Sequence, residues 1–125
     1  MMKYFVAIEG NIGSGKSELL KKIQTEFGDV ISCRKEPQGI WKTSSSKKDC
    51  EHNLLDGFYQ DTKRWSFCFE MKCLFSRIID YKKTKKNITF CERSWTSDRY
   101  VYVSTLYDNK CITDMEKELY EDIFD

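Results

Sequence analysis

The chain has 125 residues, 40% hydrophobic and 14% aromatic, which is enough for one small domain spanning residues 1–125. Its 21 basic and 20 acidic residues leave a formal net charge of +1. That balance lacks the positive surplus that grips a long polyanion, and no apolar run reaches the ~20 residues of a membrane helix, so neither nucleic acid nor membrane is an expected partner. Met1-Met2-Lys3-Tyr4 leads straight into a strand without a secretory signal, so the expected location is cytoplasmic, with a mitochondrial or viral-host cytoplasmic setting also compatible. Six scattered cysteines form no C-x-x-C pair and His52 is the single histidine, which points to free thiols rather than a zinc site or a disulfide scaffold.

Tyr4-Phe5-Val6-Ala7-Ile8 predicts a strand within residues 3–9. Residues 10–17 then read Gly-Asn-Ile-Gly-Ser-Gly-Lys-Ser and match the phosphate-cradling pattern G-x-x-x-x-G-K-[ST] at every fixed position. A helix is predicted over 16–27, with Leu19, Leu20, Ile23 and Phe27 on one face and Gly28 ending it. A second strand covers 29–33. Pro37 follows and biases Glu36 to an extended backbone. Residues 42–48 are a polar loop, and Asp49 is placed to cap a helix over 50–60.

The next helix, 62–82, has its expected core stripe at Phe67, Met71, Leu74, Phe75 and Ile78, and the lysines of 82–86 form a solvated end. Residues 88–91 form a third strand that ends at Glu92, and a helix follows over 95–107. Thr113 and Glu116 fit a capping box opening a last helix, whose apolar positions include Met115, Leu119 and Ile123.

Strands alternating with long helices indicate an α/β fold with a parallel sheet, in which ligands bind beyond the carboxyl ends of the strands. Three groups fall there: the 10–17 loop, Glu36, and Glu92-Arg93-Ser94. In the loop, Gly10, Gly13 and Gly15 let successive N–H groups converge on a phosphate, joined by Asn11, Ile12 and Ser14 and by the amides of the following helix. Lys16 brings a full charge to the outer phosphates. The Ser17 hydroxyl is a suitable oxygen ligand for Mg²⁺. An ordinary glycine-rich turn would require neither residue.

These residues closely resemble the opening of the deoxynucleoside kinases, the deoxycytidine, deoxyguanosine and mitochondrial-thymidine kinase group. Three further stretches match in order. They are Glu36-Pro37 with Trp41, then Phe58-Tyr59 through Arg64-Trp65-Ser66-Phe67 to Ser76-Arg77-Ile78, and Glu92-Arg93-Ser94 through Ser97-Asp98-Arg99-Tyr100. Arg77 and Asp98 resemble the deoxycytidine/deoxyguanosine branch most.

The resemblance implies a P-loop kinase-type three-layer sandwich. It also implies transfer of the γ-phosphate of ATP, or another NTP, to the 5′-hydroxyl of a deoxynucleoside in nucleotide salvage. Residues 10–17 would bind the ATP phosphates. Glu36 would accept the hydroxyl proton, and Glu92 would hold Mg²⁺ with Ser17 or serve as the base instead. Arg93 would contact the reacting phosphoryl group and Tyr59 the sugar 3′-hydroxyl. Trp41, Leu55, Phe69 and Tyr102 would wall the substrate, and Glu70, Arg77 and Asp98 would face the base edge. A homodimer is the assembly the family leads one to expect. The parts fit phosphoryl transfer on physical grounds as well, since that chemistry needs positioning and charge neutralisation more than covalent help.

Two features depart from the family pattern. Glu70 stands where Gln is usual; an ionised carboxylate only accepts hydrogen bonds, which predicts a preference shifted from deoxycytidine toward a purine such as guanine. The chain is also short at its C-terminal side, without the two further strands and Arg-rich lid expected of the family. A catalytically inactive, truncated nucleotide-binding remnant is therefore the alternative reading, and another small-molecule P-loop kinase a distant third.

Overall fold

The structure is a computed structural model that describes residues 3–11, 13–36, 38–42 and 52–125. Ile12, Pro37, the polar stretch 43–48, Asp49 and the expected helix start at 50–51 lie outside the described residues. The chain divides into two compact units, Met1–Glu36 with Ile78–Ser94, and Pro37–Arg77 with Trp95–Asp125.

The first unit carries a parallel sheet of three strands, β1 (Tyr4–Ile8), β2 (Ile31–Arg34) and β3 (Ile88–Glu92), in the order β1-β3-β2. Register runs from Tyr4 opposite Ile88 to Ile8 opposite Glu92, and from Ile31 opposite Ile88 to Arg34 opposite Cys91. All three strands thus end at the same edge, and the residues just beyond them become neighbours. Helix α1 (Lys16–Phe27) follows the glycine loop and buries Leu20, while Ile23 is half-buried and Leu19 and Phe27 remain exposed. The inward stripe is narrower than the sequence periodicity suggests. Gly28 does follow this helix, but in a right-handed conformation with φ −57°. Phe5 stacks on Tyr81 with ring centroids 4.6 Å apart, and Lys3 Nζ donates to Thr84 O at 2.5 Å.

The second unit is built around Trp41, Phe69 and Cys73, with Leu54, Leu55 and Phe58 packed against them. They come from α2 (Gln38–Trp41), α3 (Leu54–Gln60) and α4 (Thr62–Lys83), a 22-residue helix. Phe69 stacks on Phe58 at 4.6 Å and meets Trp41 edge-on at 5.8 Å. Burying each such ring contributes about 1.5–3 kcal/mol. Trp41 Nε1 donates to Ser76 Oγ at 2.9 Å, which satisfies its buried indole N–H. Helix α3 begins at Leu54, later than expected, because Asn53 Oδ1 accepts from Asp56 N at 3.1 Å and caps it.

Helix α4 corrects the sequence reading most. Its buried residues are Ser66, Phe69, Glu70, Cys73, Leu74, Ser76 and Arg77, whereas Phe75 is exposed and Phe67, Met71 and Ile78 are half-buried. Leu74 of the expected stripe is buried as predicted, but the inward face mixes it with Phe69 and Cys73 and with the polar Ser66, Glu70, Ser76 and Arg77, so the stripe as a whole is rotated from the face that packs.

The expected helix over 95–107 is also modified. It runs as α5 (Trp95–Ser97), a π-helical segment Asp98–Val103, and α6 (Ser104–Asp108). The wider π turn aligns residues five apart, and Asp98 and Val103 are both buried while Tyr102 is half-buried. Helix α7 (Asp114–Phe124) opens with the expected capping box: Thr113 Oγ1 accepts from Glu116 N at 3.2 Å, and Glu116 Oε1 accepts from Thr113 N at 3.0 Å. Its expected apolar positions Met115, Leu119 and Ile123 are exposed, and Tyr120 is the buried anchor instead.

Thr113→Ala removes one half of the box. We expect it to lower the unfolding free energy by about 1 kcal/mol, read as a smaller urea midpoint with an unchanged slope.

Candidate active site

In the first unit the glycine loop joins β1 to α1. Gly13 and Gly15 have φ of 80° and 93°, conformations that a side chain strongly disfavours. A Cβ at Gly10 would approach Ser14 Oγ to 2.6 Å. Lys16 is 8% exposed and folds back over the loop, donating to Gly10 O at 2.9 Å and Asn11 O at 2.8 Å. Its ammonium is therefore held against the backbone of the loop. Fixed positive charge and converging donors at that point suit a phosphate group.

The strand ends are tied together by side chains. Glu92, the last residue of β3, accepts from Ser17 Oγ at 3.1 Å through Oε1 and from the Glu36 backbone N–H at 3.4 Å through Oε2. Glu36 in turn accepts from Arg93 Nη1 at 2.9 Å, in a pair whose side chains are 12% and 9% exposed. Arg93 Nη2 reaches Gly10 O at 3.4 Å, and Arg93 N donates to Ile8 O at 2.9 Å. Arg93 adopts φ 60°, an uncommon left-handed conformation for a residue with a side chain. Ser94 Oγ donates to Glu9 Oε1 at 2.7 Å. Lys16, Ser17, Glu36, Glu92 and Arg93 thus form one connected set. Glu9 and Ser94, bonded to each other, flank this set in sequence next to Gly10 and Arg93; sequence reasoning placed Ser94 at this edge with Glu92 and Arg93 but gave neither residue a role. Their only signal was adjacency to the loop and to Glu92.

The second unit holds the other predicted residues. Arg77 and Asp98 form a buried fork, with Nε to Oδ2 at 2.6 Å and Nη2 to Oδ1 at 3.4 Å, and side chains 8% and 6% exposed. The Arg77 guanidinium also lies 5.6 Å from the Trp41 ring centroid. Glu70 shares the α4 face of Arg77 and is buried, and its Oε2 has no hydrogen-bond partner among the described residues. Burial, reinforced by the Asp98 carboxylate and only partly offset by Arg77, pushes the Glu70 carboxyl from 4.5 up to about 8. Glu70 is therefore a neutral acid at pH 7, which removes the premise of an ionised carboxylate behind the expected purine preference. Tyr120 is a further member, missed in the sequence for want of a motif. Its buried hydroxyl has no partner among the described residues, and burial, then Asp98 and Glu70, raises it well above the ordinary phenol value. Trp41, Leu55 and Phe69 belong to the aromatic core, Tyr102 is half-buried, and Tyr59 is exposed.

A parallel sheet whose first strand runs through this glycine loop into a helix is a P-loop kinase-type α/β fold. The deoxynucleoside kinase family model matches residues 6–125, and the chain belongs to that family. Among curated proteins it is similar to deoxycytidine kinase 1 of Xenopus laevis, at 35% identity over 96% of this chain and 52% of that protein. It is also similar to the mitochondrial deoxyguanosine kinase of Xenopus laevis, at 33% identity over 94% of this chain and 50% of that one. A probable deoxycytidine kinase of fowlpox virus matches at 33% identity over 94% of this chain and 46% of its own length. The chain spans about half the length of the curated relatives it matches. No helix among the described residues is long and apolar enough to cross a membrane.

Two outcomes follow from the buried charges. Between pH 4.5 and about 8 the folded chain keeps the Glu70 proton that the unfolded chain has lost, so stability falls as pH rises through that window. The slope is at most about 1.4 kcal/mol per pH unit, and Glu70→Gln should remove it from denaturation midpoints measured across the window. Asp98→Ala leaves Arg77 buried without its counter-charge and should cost about 3–5 kcal/mol, whereas a paired Arg77→Met, Asp98→Leu variant should recover most of that loss in chemical denaturation.

Proposed function

We propose that this chain transfers the γ-phosphoryl group of ATP, or of another NTP, to the 5′-hydroxyl of a deoxynucleoside in nucleotide salvage. The observation that carries the reading is the linked set Ser17–Glu92–Glu36–Arg93 at the strand ends beside the Lys16 loop. Residues 10–17 and the first amides of α1 bind the triphosphate, and Lys16 neutralises its outer phosphates. Ser17 Oγ and a Glu92 oxygen, 3.1 Å apart, offer the two hard oxygen ligands that suit Mg²⁺ bound jointly with nucleotide phosphates. When bound, Mg²⁺ would neutralise charge on the β- and γ-phosphate oxygens.

In the transfer, the nucleoside 5′-oxygen forms a bond to the γ-phosphorus while the bond to the β–γ bridging oxygen breaks and ADP departs. The Glu36 carboxylate accepts the hydroxyl proton, and the Arg93 guanidinium faces the charge that builds on the transferring group. Trp41, Leu55, Phe69 and Tyr102 supply stacking and apolar walls, Tyr59 bonds the sugar 3′-hydroxyl, and Glu70, Arg77 and Asp98 read the base. A homodimer is the assembly we assign by family resemblance.

The test is transfer of labelled γ-phosphate to each of the four deoxynucleosides by the purified chain. Turnover that falls about 10²–10³-fold in Lys16→Ala, with Glu36→Gln reduced about 10²–10⁴-fold, supports the assignment. Clear ATP binding without turnover on any deoxynucleoside overturns it in favour of nucleotide binding without transfer.

A further inference from the structure

Strand β1 is apolar from Tyr4 to Ile8, yet none of its residues is buried: Tyr4, Val6 and Ala7 are exposed, and Phe5 and Ile8 are half-buried. Strands of that composition in a parallel sheet are ordinarily covered. Among the described residues β1 pairs with β3 alone, so its other side is an open sheet edge. The ladder shows which groups that edge offers. Tyr4 N donates to Asn87 O at 2.6 Å and Ile8 O accepts from Arg93 N at 2.9 Å, so the even-numbered residues of β1 turn their N–H and C=O toward β3. By alternation, Phe5 and Ala7 turn theirs outward, and Lys3 and Glu9 continue the same parity at the two ends. No proline interrupts β1, and its register against β3 carries no bulge, so nothing within the strand blunts the edge. The charges that flank it are opposite in sign.

We propose that a second copy of this chain pairs with β1 edge to edge and antiparallel, about a twofold axis at Val6. The edge is complementary to itself in that register. Lys3 falls opposite Glu9 of the second copy, and symmetry repeats the pair at the other end. Phe5 falls opposite Ala7 of the second copy, large against small, and the two exchange N–H···O bonds through the groups that face outward. Tyr4 meets Ile8 of the second copy, and the two Val6 side chains meet at the axis. Other registers lose the match. An axis at Phe5 sets Lys3 against Ala7, an axis at Ala7 sets Glu9 against Phe5, and a parallel twofold pairing sets like charges together at both ends. Neither flanking charge gives up its present bond. The Lys3 ammonium donates to Thr84 O at 2.5 Å and retains further N–H donors, while Glu9 accepts from Ser94 through Oε1 at 2.7 Å and has a second carboxylate oxygen to offer. Because Glu9 directly precedes Gly10, the pairing brings a cation of the second copy to the start of the glycine loop.

Sedimentation equilibrium of the chain over a range of concentrations reads the assembly. We expect the mass to rise from 14.9 kDa to twice that value and no further. Ala7→Pro deletes an N–H that points to the open edge and leaves the ladder with β3 intact, so it should give a monomer with an unchanged circular dichroism spectrum. Lys3→Glu alone and Glu9→Lys alone each set like charges opposite one another at both ends, and each should raise the dimer Kd about tenfold. Mixing these two variants, or combining both substitutions in one chain, restores opposite charges and should return the Kd of the native chain. Hydrogen exchange of the native chain needs no variant. The Phe5 and Ala7 amides should gain protection as concentration rises, while those of Tyr4, Val6 and Ile8 are protected by β3 at every concentration. A monomer at all concentrations overturns the proposal, and so does growth beyond the dimer. It is equally overturned by a dimer that survives Ala7→Pro and both charge reversals, or by one that leaves Phe5 and Ala7 exchanging freely. None of these measurements uses turnover, so the pairing stands or falls apart from the kinase reading.

Discussion

The first unit depends on one carboxylate. Glu92 ends the central strand and bonds both the first turn of α1, through Ser17, and the backbone that leaves β2, through the Glu36 N–H. Parallel register brings the three strand ends to one edge, but register alone leaves the groups beyond them undirected. Glu92 fixes two of those directions at once. Arg93 then takes Glu36 and the Gly10 carbonyl, so loop, acid and arginine are constrained as a set. A change at Glu92 would be felt at each of these positions, because they share it as a common partner.

The second unit solves a different problem, that of keeping charge inside an aromatic core. Arg77 and Asp98 are tolerable there because each completes the other in a forked geometry. The π-helical segment contributes by its wider turn, which turns Asp98 inward together with Val103. Glu70 beside them cannot also be ionised without adding a second negative charge near Asp98, so it keeps its proton. The protonation state thus follows from packing as much as from residue type.

Much of this was legible in the sequence, and the exceptions have physical causes. The glycine loop, β1, α1, β3 and the Thr113 box are local patterns: backbone angles, capping atoms and a short apolar run specify them without help from distant residues. Helix α4 is not local in that sense. Its buried face carries the polar Ser66, Glu70, Ser76 and Arg77, of which Ser76 and Arg77 meet Trp41 and Asp98 far along the chain, so a search for apolar periodicity finds Leu74 but also selects Phe67, Met71 and Phe75. The same holds for α7, where Tyr120 is the anchor although Met115, Leu119 and Ile123 form the obvious stripe. Residue type alone reads Glu70 as an ionised carboxylate; the raising of its carboxyl by burial and Asp98 depends on packing that residue type does not carry. The π-helical segment has no signature in residue spacing, since helical periodicity is read on the assumption of 3.6 residues per turn.

The left-handed backbone of Arg93 has a consequence for how such a chain can change over evolutionary time. An L-residue in that conformation costs about 1–2 kcal/mol relative to glycine, so a glycine there would relieve the backbone while deleting the guanidinium that joins Glu36 to the loop. Stability and site geometry pull in opposite directions at this position. Selection for thermal robustness alone would drift toward losing the arginine, and only selection on the site itself would keep it.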